Sequence, residues 1–427
     1  VVRRTEAGEV IDQVDTRYEV RTIETAQRGI PVRYASPEQE DHLVYERGSA
    51  PINLRTTWQY DDYGNVVEEA RYGRVEGENL AVGDDEVIVQ RAFARNLEAW
   101  IVDRVSREVT TDLKGNRLAE TLTYYDGTPF EGLPRGQVTK GAVSRVEGWV
   151  EEERFALLRA ARYDSWGNMV EERSARGGAT IVTYDEATHT FPEKEEQQVR
   201  EGHSLSWRAQ YDRALGVMTD LWDLNGHHYQ WLYDPLGLPV AAIEPGDSQQ
   251  LPTVTYEYNF ASPSSYVREA RRRVSGQPET TVTISHFDGL SRPRGVFARA
   301  EGGYWVAEGL TSYGPRGLVR FAAHPASRES ADLGEANEDH GGRWTQYDAL
   351  GRVVTEREVD GAERRTVYGP LERTVYDEND TDGQSIHFDT PTTFREDGLK
   401  RLRSVTHRDG SREVTTRYGY DGLGNLT

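Results

Sequence analysis

No cysteine occurs among the 427 residues. Disulfide staples, thiolate zinc sites and cysteine nucleophiles are thereby excluded. Methionine is almost missing too, with only Met169 and Met218. No apolar run approaches the roughly 20 residues a membrane-spanning helix needs, so direct membrane insertion is not expected. No signal-peptide pattern opens the chain. Cations are outnumbered: 51 Lys and Arg face 72 Asp and Glu, a net charge of -21. That field repels phosphate backbones, so nucleic acid is not an expected partner. The run Arg271-Arg272-Arg273 is read as a solvated strand face.

Catalytic signatures are missing as well. There is no G-x-S-x-G elbow, no H-E-x-x-H helix and no phosphate-cradling glycine loop. His227-His228 is the one adjacent histidine pair. Neighbours on a strand point to opposite faces, so the pair makes a poor metal site, and a turn beginning at Asn225-Gly226 explains it better. Acidic pairs are so frequent that sequence proximity nominates no general acid or base. No catalytic residue, metal or cofactor is therefore expected.

What is present is aromatic and periodic. Hydrophobic residues make up only 36%, yet 23 Tyr and 9 Trp occur. Disorder would deplete aromatics, so a fold with much wet surface is expected. Tyr60-Asp61-Asp62-Tyr63-Gly64-Asn65 recurs as Tyr163-Asp164-Ser165-Trp166-Gly167-Asn168. Further copies carry Tyr211-Asp212, Tyr233-Asp234 with Gly237, Phe287-Asp288 with Gly289, Tyr347-Asp348 with Gly351, and Tyr420-Asp421 with Gly424. Tyr313-Gly314 with Gly317, and Glu396-Asp397-Gly398, read as worn copies.

The motif has a mechanical meaning. The aromatic ends a strand and packs on a neighbour. The Asp carboxylate accepts backbone N–H groups of the turn. The following Gly supplies a positive φ, and an Asn after it, as in Gly115-Asn116, is read as tolerating the same region. An apolar pair such as Val353-Val354 starts the return strand. Each unit is then a β-hairpin, and the expected fold is all-β: a long, curved, spiralling sheet with few short helices. Alternating segments such as Thr281-Val282-Thr283-Ile284-Ser285-His286-Phe287 agree.

Local signals fill in the rest. Ser36-Pro37-Glu38-Gln39 reads as an N-cap with Pro at N1, predicting a short helix to about Arg47. Polar stretches at 244–252, 325–342 and 378–390 read as surface loops. A soft boundary near Gly202 separates a β-rich part with sparse units, 1–201, from denser repeats, 202–427. The chain opens on Val1 and ends within a turn motif, so it reads as a fragment of a longer polypeptide. Trp58, Trp166, Trp222, Trp231, Trp305 and Trp344 sit near turns and are expected to fill the aromatic layer between strands.

The aromatic-Asp-x-x-Gly series resembles the YD/RHS repeats of bacterial Rhs toxins, teneurins and the B and C components of Tc insecticidal toxin complexes. Thr123-Tyr124-Tyr125-Asp126-Gly127-Thr128-Pro129-Phe130 with the Tyr163 unit, and Asp389-Thr390-Pro391-Thr392-Thr393, look like the middle-to-C-terminal region of the B component. This resemblance implies a wall segment of a hollow β-shell, secreted by a bacterium, that encloses a cytotoxic segment. Its implied partners are the remainder of the shell, a C-component-like protein, the enclosed toxin and, indirectly, a pore-forming A component. Asp234-Pro235-Leu236-Gly237 superficially matches the self-cleavage wording of that family, but its place inside the series favours an ordinary turn. The alternatives are a cell-surface adhesin that binds carbohydrate or a neighbouring cell and, more remotely, a glycosidase-like enzyme built on β-repeats.

Overall fold

A computed structural model describes residues 1–427 except 26–30, 49, 84, 201, 262–264, 335–340 and 411. It is nearly all β: 32 strands and one four-residue helix, Glu378–Thr381, among the described residues. The strands form a 23-stranded and a 9-stranded sheet, neither closed into a barrel.

Pairing is strictly antiparallel and almost strictly sequential. Val2–Arg4 pairs Val10–Thr25, which pairs Pro31–Val44, and so on to Trp305–Glu308. One detour breaks the order. Trp305–Glu308 pairs Ala326–Arg328, while the intervening Thr311–Tyr313 and Val319–Ala323 start the second sheet. That sheet then runs in order from Gly342–Tyr347 to Arg412–Arg417. The soft boundary near Gly202 falls in the turn between Pro192–Arg200 and His203–Asp212; Glu201 itself lies outside the described residues.

The largest apolar cluster sits where the chain changes sheets. Phe297, Ala307, Leu310, Phe321 and Ala323 are buried there, with Trp305 and Trp344 packed against them. Gly295 permits this closeness: a Cβ on it would lie 2.6 Å from Leu310 Cδ2. Elsewhere few side chains are fully buried, as one packed face and one wet face require.

The strip also overlaps itself. Arg352 pairs with Glu46 (2.6 Å) across 306 positions of sequence. The Gly398 N–H donates to Asp85 Oδ2 (2.6 Å) across 313. Gly422 lies against Leu118, where a Cβ would come within 2.9 Å of Cδ2. Three turns of the second sheet thus sit, in chain order, on three regions of the first strands. The strip curls until its late turns meet its early loops.

Four expectations need correction. Residues 36–47 are not helical. Pro31–Val44 is a strand, with Pro37 at a register shift opposite Tyr18 and beyond Ile52–Tyr60, which pairs only from Gln39 onward. Proline is tolerated there because no ladder bond requires its missing N–H. The stretch 378–390 carries the helix Glu378–Thr381, held by a capping box of Asp377 and Asp380. The stretch 325–342 contributes the strand Ala326–Arg328; its residues 335–340 lie outside the described residues. Within Arg271-Arg272-Arg273, Arg272 is buried and ion-paired with buried Asp247 (2.5 Å).

Candidate functional site

The repeated turn is the structural unit of this chain, and its geometry recurs closely. At Asp61, Asp164, Asp234, Asp348 and Asp421, the Asp N–H donates to the carbonyl four residues on, and the Gly three residues on donates back to the Asp carbonyl. The Asp Oδ1 accepts the N–H groups two and four residues on, for example Leu236 and Leu238 at Asp234 (2.8 and 2.9 Å). Gly64, Gly167, Gly237, Gly351 and Gly424 all take the positive φ this turn demands. In two units the positive φ falls on another residue. Ser291 takes it after Phe287-Asp288, and Lys400 after Asp397, because Gly289 and Gly398 stand only one place past the Asp. Tyr211-Asp212 is one residue longer, closing with Gly216 N–H on the Asp212 carbonyl (2.8 Å).

The fourth residue after Asp has a role that differs from the expected one. Asn65, Asn116, Asn168 and Asn425 do not take positive φ. Their side-chain amides donate to the second Asp oxygen, as Asn425 does to Asp421 (2.9 Å). Arg292, Arg352 and Arg401 do the same through Nε, each at 2.7 Å. At Asp288 and Asp421 these bonds depress the carboxyl. The Arg292 hydrogen bond draws Asp288 down to about 2, against its burial. The Asn425 amide and N–H hold Asp421 below its ordinary value.

Three aspartates act in the same way without the full motif. Asp112, after a Thr, accepts Lys114 and Asn116 N–H groups. Asp223, after Trp222, accepts Asn225 and His227. Asp185 closes a longer loop that contains no glycine, accepting Thr188, Thr190 and Phe191; the Phe191 N–H leads in holding it well below the usual carboxylate range. Tyr125-Asp126 embraces a longer insertion. Burial would raise the Asp126 carboxyl, but N–H groups from Lys140, Thr139, Gly141 and Ala142 bring it below its ordinary value.

In several hairpins a tyrosine hydroxyl ties the unit to the one before. Tyr233 Oη donates to the Met218 carbonyl (2.8 Å), Tyr258 to Pro239 (2.8 Å), Tyr313 to Pro293 (2.7 Å), Tyr368 to Val353 (3.1 Å) and Tyr420 to Leu402 (2.8 Å). Each acceptor opens the return strand of the preceding unit. Tyr163 reaches Val143 in the same way (3.0 Å). Burial pushes the Tyr163, Tyr233, Tyr258 and Tyr368 phenols up. The Arg of one unit stacks on the Tyr of the next: Arg292 over Tyr313, Arg352 over Tyr368 and Arg401 over Tyr420, at 4.2, 4.0 and 5.0 Å. Tyr368→Phe removes one such bond while keeping the ring, and is expected to cost about 1 kcal/mol in urea unfolding. No measurable loss would mean the phenol only fills space.

The depressed carboxyls set an acid limit. Their folded values lie below the unfolded ones, so their contribution is complete above about pH 4 and disappears as pH falls toward about 2. An acid titration followed by tryptophan fluorescence should therefore keep a native signal down to about pH 4. A midpoint near pH 6 would contradict this account.

The histidines do not converge. His227 Nδ1 meets Asp223 Oδ2 (3.2 Å) and His228 Nε2 meets Asp220 Oδ1 (2.8 Å). Among the described residues no group of three or more His, Asp or Glu is placed to hold a metal ion. The tryptophans divide. Trp344 packs on Phe321 and Trp222 stacks on His228. Trp166 departs from the expected aromatic layer: it stacks on His189 and remains 68% exposed. Trp100, not singled out in the sequence, is 71% exposed beside Tyr63.

No family model and no curated protein matches the sequence. Solved structures do match the fold. A TcdB2-TccC3 crystal structure aligns with TM-score 0.78 and 16% identity, over 98% of this chain and 28% of that chain. TcdB2-TccC3 without its hypervariable C-terminal region gives 0.78 and 14%, over 98% and 30%. A Photorhabdus luminescens Tc holotoxin pore with a TccC3 mutation gives 0.80 and 15%, over 98% and 30%. The chain therefore spans about a third of the length of the solved chains it matches. At such low identity the likeness establishes the fold: an antiparallel β-strip of the kind found in Tc toxin shells.

Proposed function

We propose that this chain is a non-catalytic wall segment of a YD/RHS-type shell, part of a secreted bacterial Tc-like complex that encloses and delivers a toxic polypeptide. The observation that carries this reading is the self-overlap of the strip, with late turns seated on early loops through Arg352–Glu46 and Gly398–Asp85. A strip that curls onto its own edge makes a wall. The non-catalytic role is supported by the turn aspartates, whose Oδ1 atoms each already accept two backbone N–H groups of their own turn. The proposed partners are a C-component-like remainder of the shell, an enclosed toxin segment and, through them, a pore-forming component.

Co-expression with the C-component-like partner and its variable tail provides the test. The tail should resist protease in the intact complex and be digested once the complex is unfolded. Equal digestion in both states rejects enclosure. A second reading, carbohydrate binding by an adhesin, draws on the exposed Trp100 and Trp166. A glycan array with the isolated chain separates the two. Micromolar sugar binding lost in Trp100→Ala or Trp166→Ala would favour the adhesin.

A further inference from the structure

Antiparallel order places successive connections on alternating edges of the strip. The turns at Asp61, Asp164, Asp185, Asp212, Asp234 and Asp288 fall on one edge; the connections at 45–51, 76–86 and 112–116 fall on the other. Hydrogen bonds carry the turn edge onward into the second sheet: Tyr313 reaches back to Pro293, and Arg316 donates to the Asp348 carbonyl (2.9 Å). The seam therefore has a polarity. Its late half presents the turn edge, at Asp348, Asp397 and Asp421. Its early half presents the loop edge, at Glu46, Asp85 and Leu118.

Two residues after each Asp the turn tip is apolar: Trp166, Leu236, Leu290, Leu350, Leu399 and Leu423. Where the loop edge lies against the turns at Asp348 and Asp397, both Asp are buried and Leu350 and Leu399 half-buried; at the Asp421 turn, the last of the seam, Leu423 stays 53% exposed. Where it does not, Leu236 is 80% and Leu290 75% exposed. Arg292 and Arg352 occupy the same place in their units. Both bond their own Asp through Nε at 2.7 Å and both stack on the next Tyr. Arg352 then binds Glu46 through both terminal nitrogens. Arg292 has no second carboxylate among the described residues.

We propose that the open turns at Asp234 and Asp288 are a docking edge for the loop edge of a further strip of the same antiparallel meander, which covers Leu236 and Leu290 and gives Arg292 a carboxylate in the place Glu46 holds for Arg352. The occupant follows from continuity, because the Tyr313–Pro293 and Arg316–Asp348 hydrogen bonds join the edge at Asp288 to the edge already seated on this chain's own loops. The inference rests on the wall reading above.

The lack of cysteine makes the test direct. Leu236→Cys and Leu290→Cys are labelled with a maleimide in the isolated chain and in the purified complex with the C-component-like partner. Labelling should be fast in the isolated chain and at least about tenfold slower in the complex, the loss expected when exposed apolar surface is covered by a specific interface. Adding Arg292→Gln to Leu236→Cys should restore part of the rate. Arg292→Gln keeps a donor for Asp288, so the turn survives. A complex that forms while both cysteines keep their free rate overturns the docking edge alone. Protection that Arg292→Gln leaves untouched reflects general enclosure and also overturns it. Failure of any complex to form overturns the wall reading and this inference with it.

Discussion

Asp348→Ala is expected to lower the free energy of unfolding by about 3 to 5 kcal/mol, the range for removing one partner of a buried ion pair. The Asp348 side chain is almost fully buried and accepts Leu350 N–H (2.9 Å), Arg352 N–H (3.0 Å) and Arg352 Nε (2.7 Å). Its loss leaves two turn N–H groups unmet and the Arg352 guanidinium with Glu46 as its remaining carboxylate. The same change at Asp234 removes two N–H acceptors from a turn that is half exposed, with no ionic partner for the Asp among the described residues. That should cost about 1 to 2 kcal/mol. Urea unfolding of the two variants side by side measures the difference. Equal losses would mean that the seam adds nothing to the turn beneath it.

Gly398→Val should have an effect of similar size by a different route. A Cβ there would lie 2.5 Å from Asp85 Oδ2 and 2.7 Å from the Gly73 carbonyl carbon, and would also strike the Arg74 backbone nitrogen. Backbone cannot yield as a flexible side chain does, so the seam itself has to part. Overpacking of this kind costs about 1 to 3 kcal/mol, and the lost N–H bond to Asp85 adds about 1 kcal/mol. The control is Gly383→Val, where no atom lies within 4 Å. Hydrogen exchange locates the damage. Protection should fall around Asp85 and Asp397 while the strands Thr392–Glu396 and Leu402–Asp409 keep theirs, because their ladder is independent of the seam. Loss of protection throughout the second sheet would contradict that independence. Asp85 also runs against the turn aspartates. Burial, with Asp397 and Glu86 nearby, raises its carboxyl despite the Gly398 N–H. Its contribution is therefore complete at low pH and declines as pH rises through its folded value.

The all-β class and most turns were legible in the sequence, because Asp and Gly meet backbone demands that few other residues meet. Asp112, Asp185 and Asp223 were missed as units for a physical reason. Asp112 and Asp223 keep the carboxylate and the positive-φ Gly but follow Thr111 and Trp222 rather than a Tyr, while Asp185 follows Tyr184 but closes its loop without Gly. The Asn four past the Asp was a visible signal read wrongly: it stands there because its amide donates to the Asp, as Arg does at Arg292, Arg352 and Arg401, not because it takes positive φ. The helix expected at 36–47 failed because a local capping pattern was weaker than thirteen paired positions with Val10–Thr25. The seam left no trace. Glu46 and Arg352 are ordinary charges until curvature brings them together, and curvature is a sum of small twists over every strand between them.

The sequential ladder has a consequence for the order of assembly. Even a wide neighbour pairing, Asp12 with Val44, closes a short stretch of chain, whereas Glu46 with Arg352 spans 306 positions. Closing a loop about ten times longer costs about 2 kcal/mol more in chain entropy. Hairpins therefore form first and in chain order, as the polypeptide leaves the ribosome, and the coil closes on itself only after Arg352 has emerged. Until Arg352 is made, the strip is an open ribbon whose later rim does not yet exist.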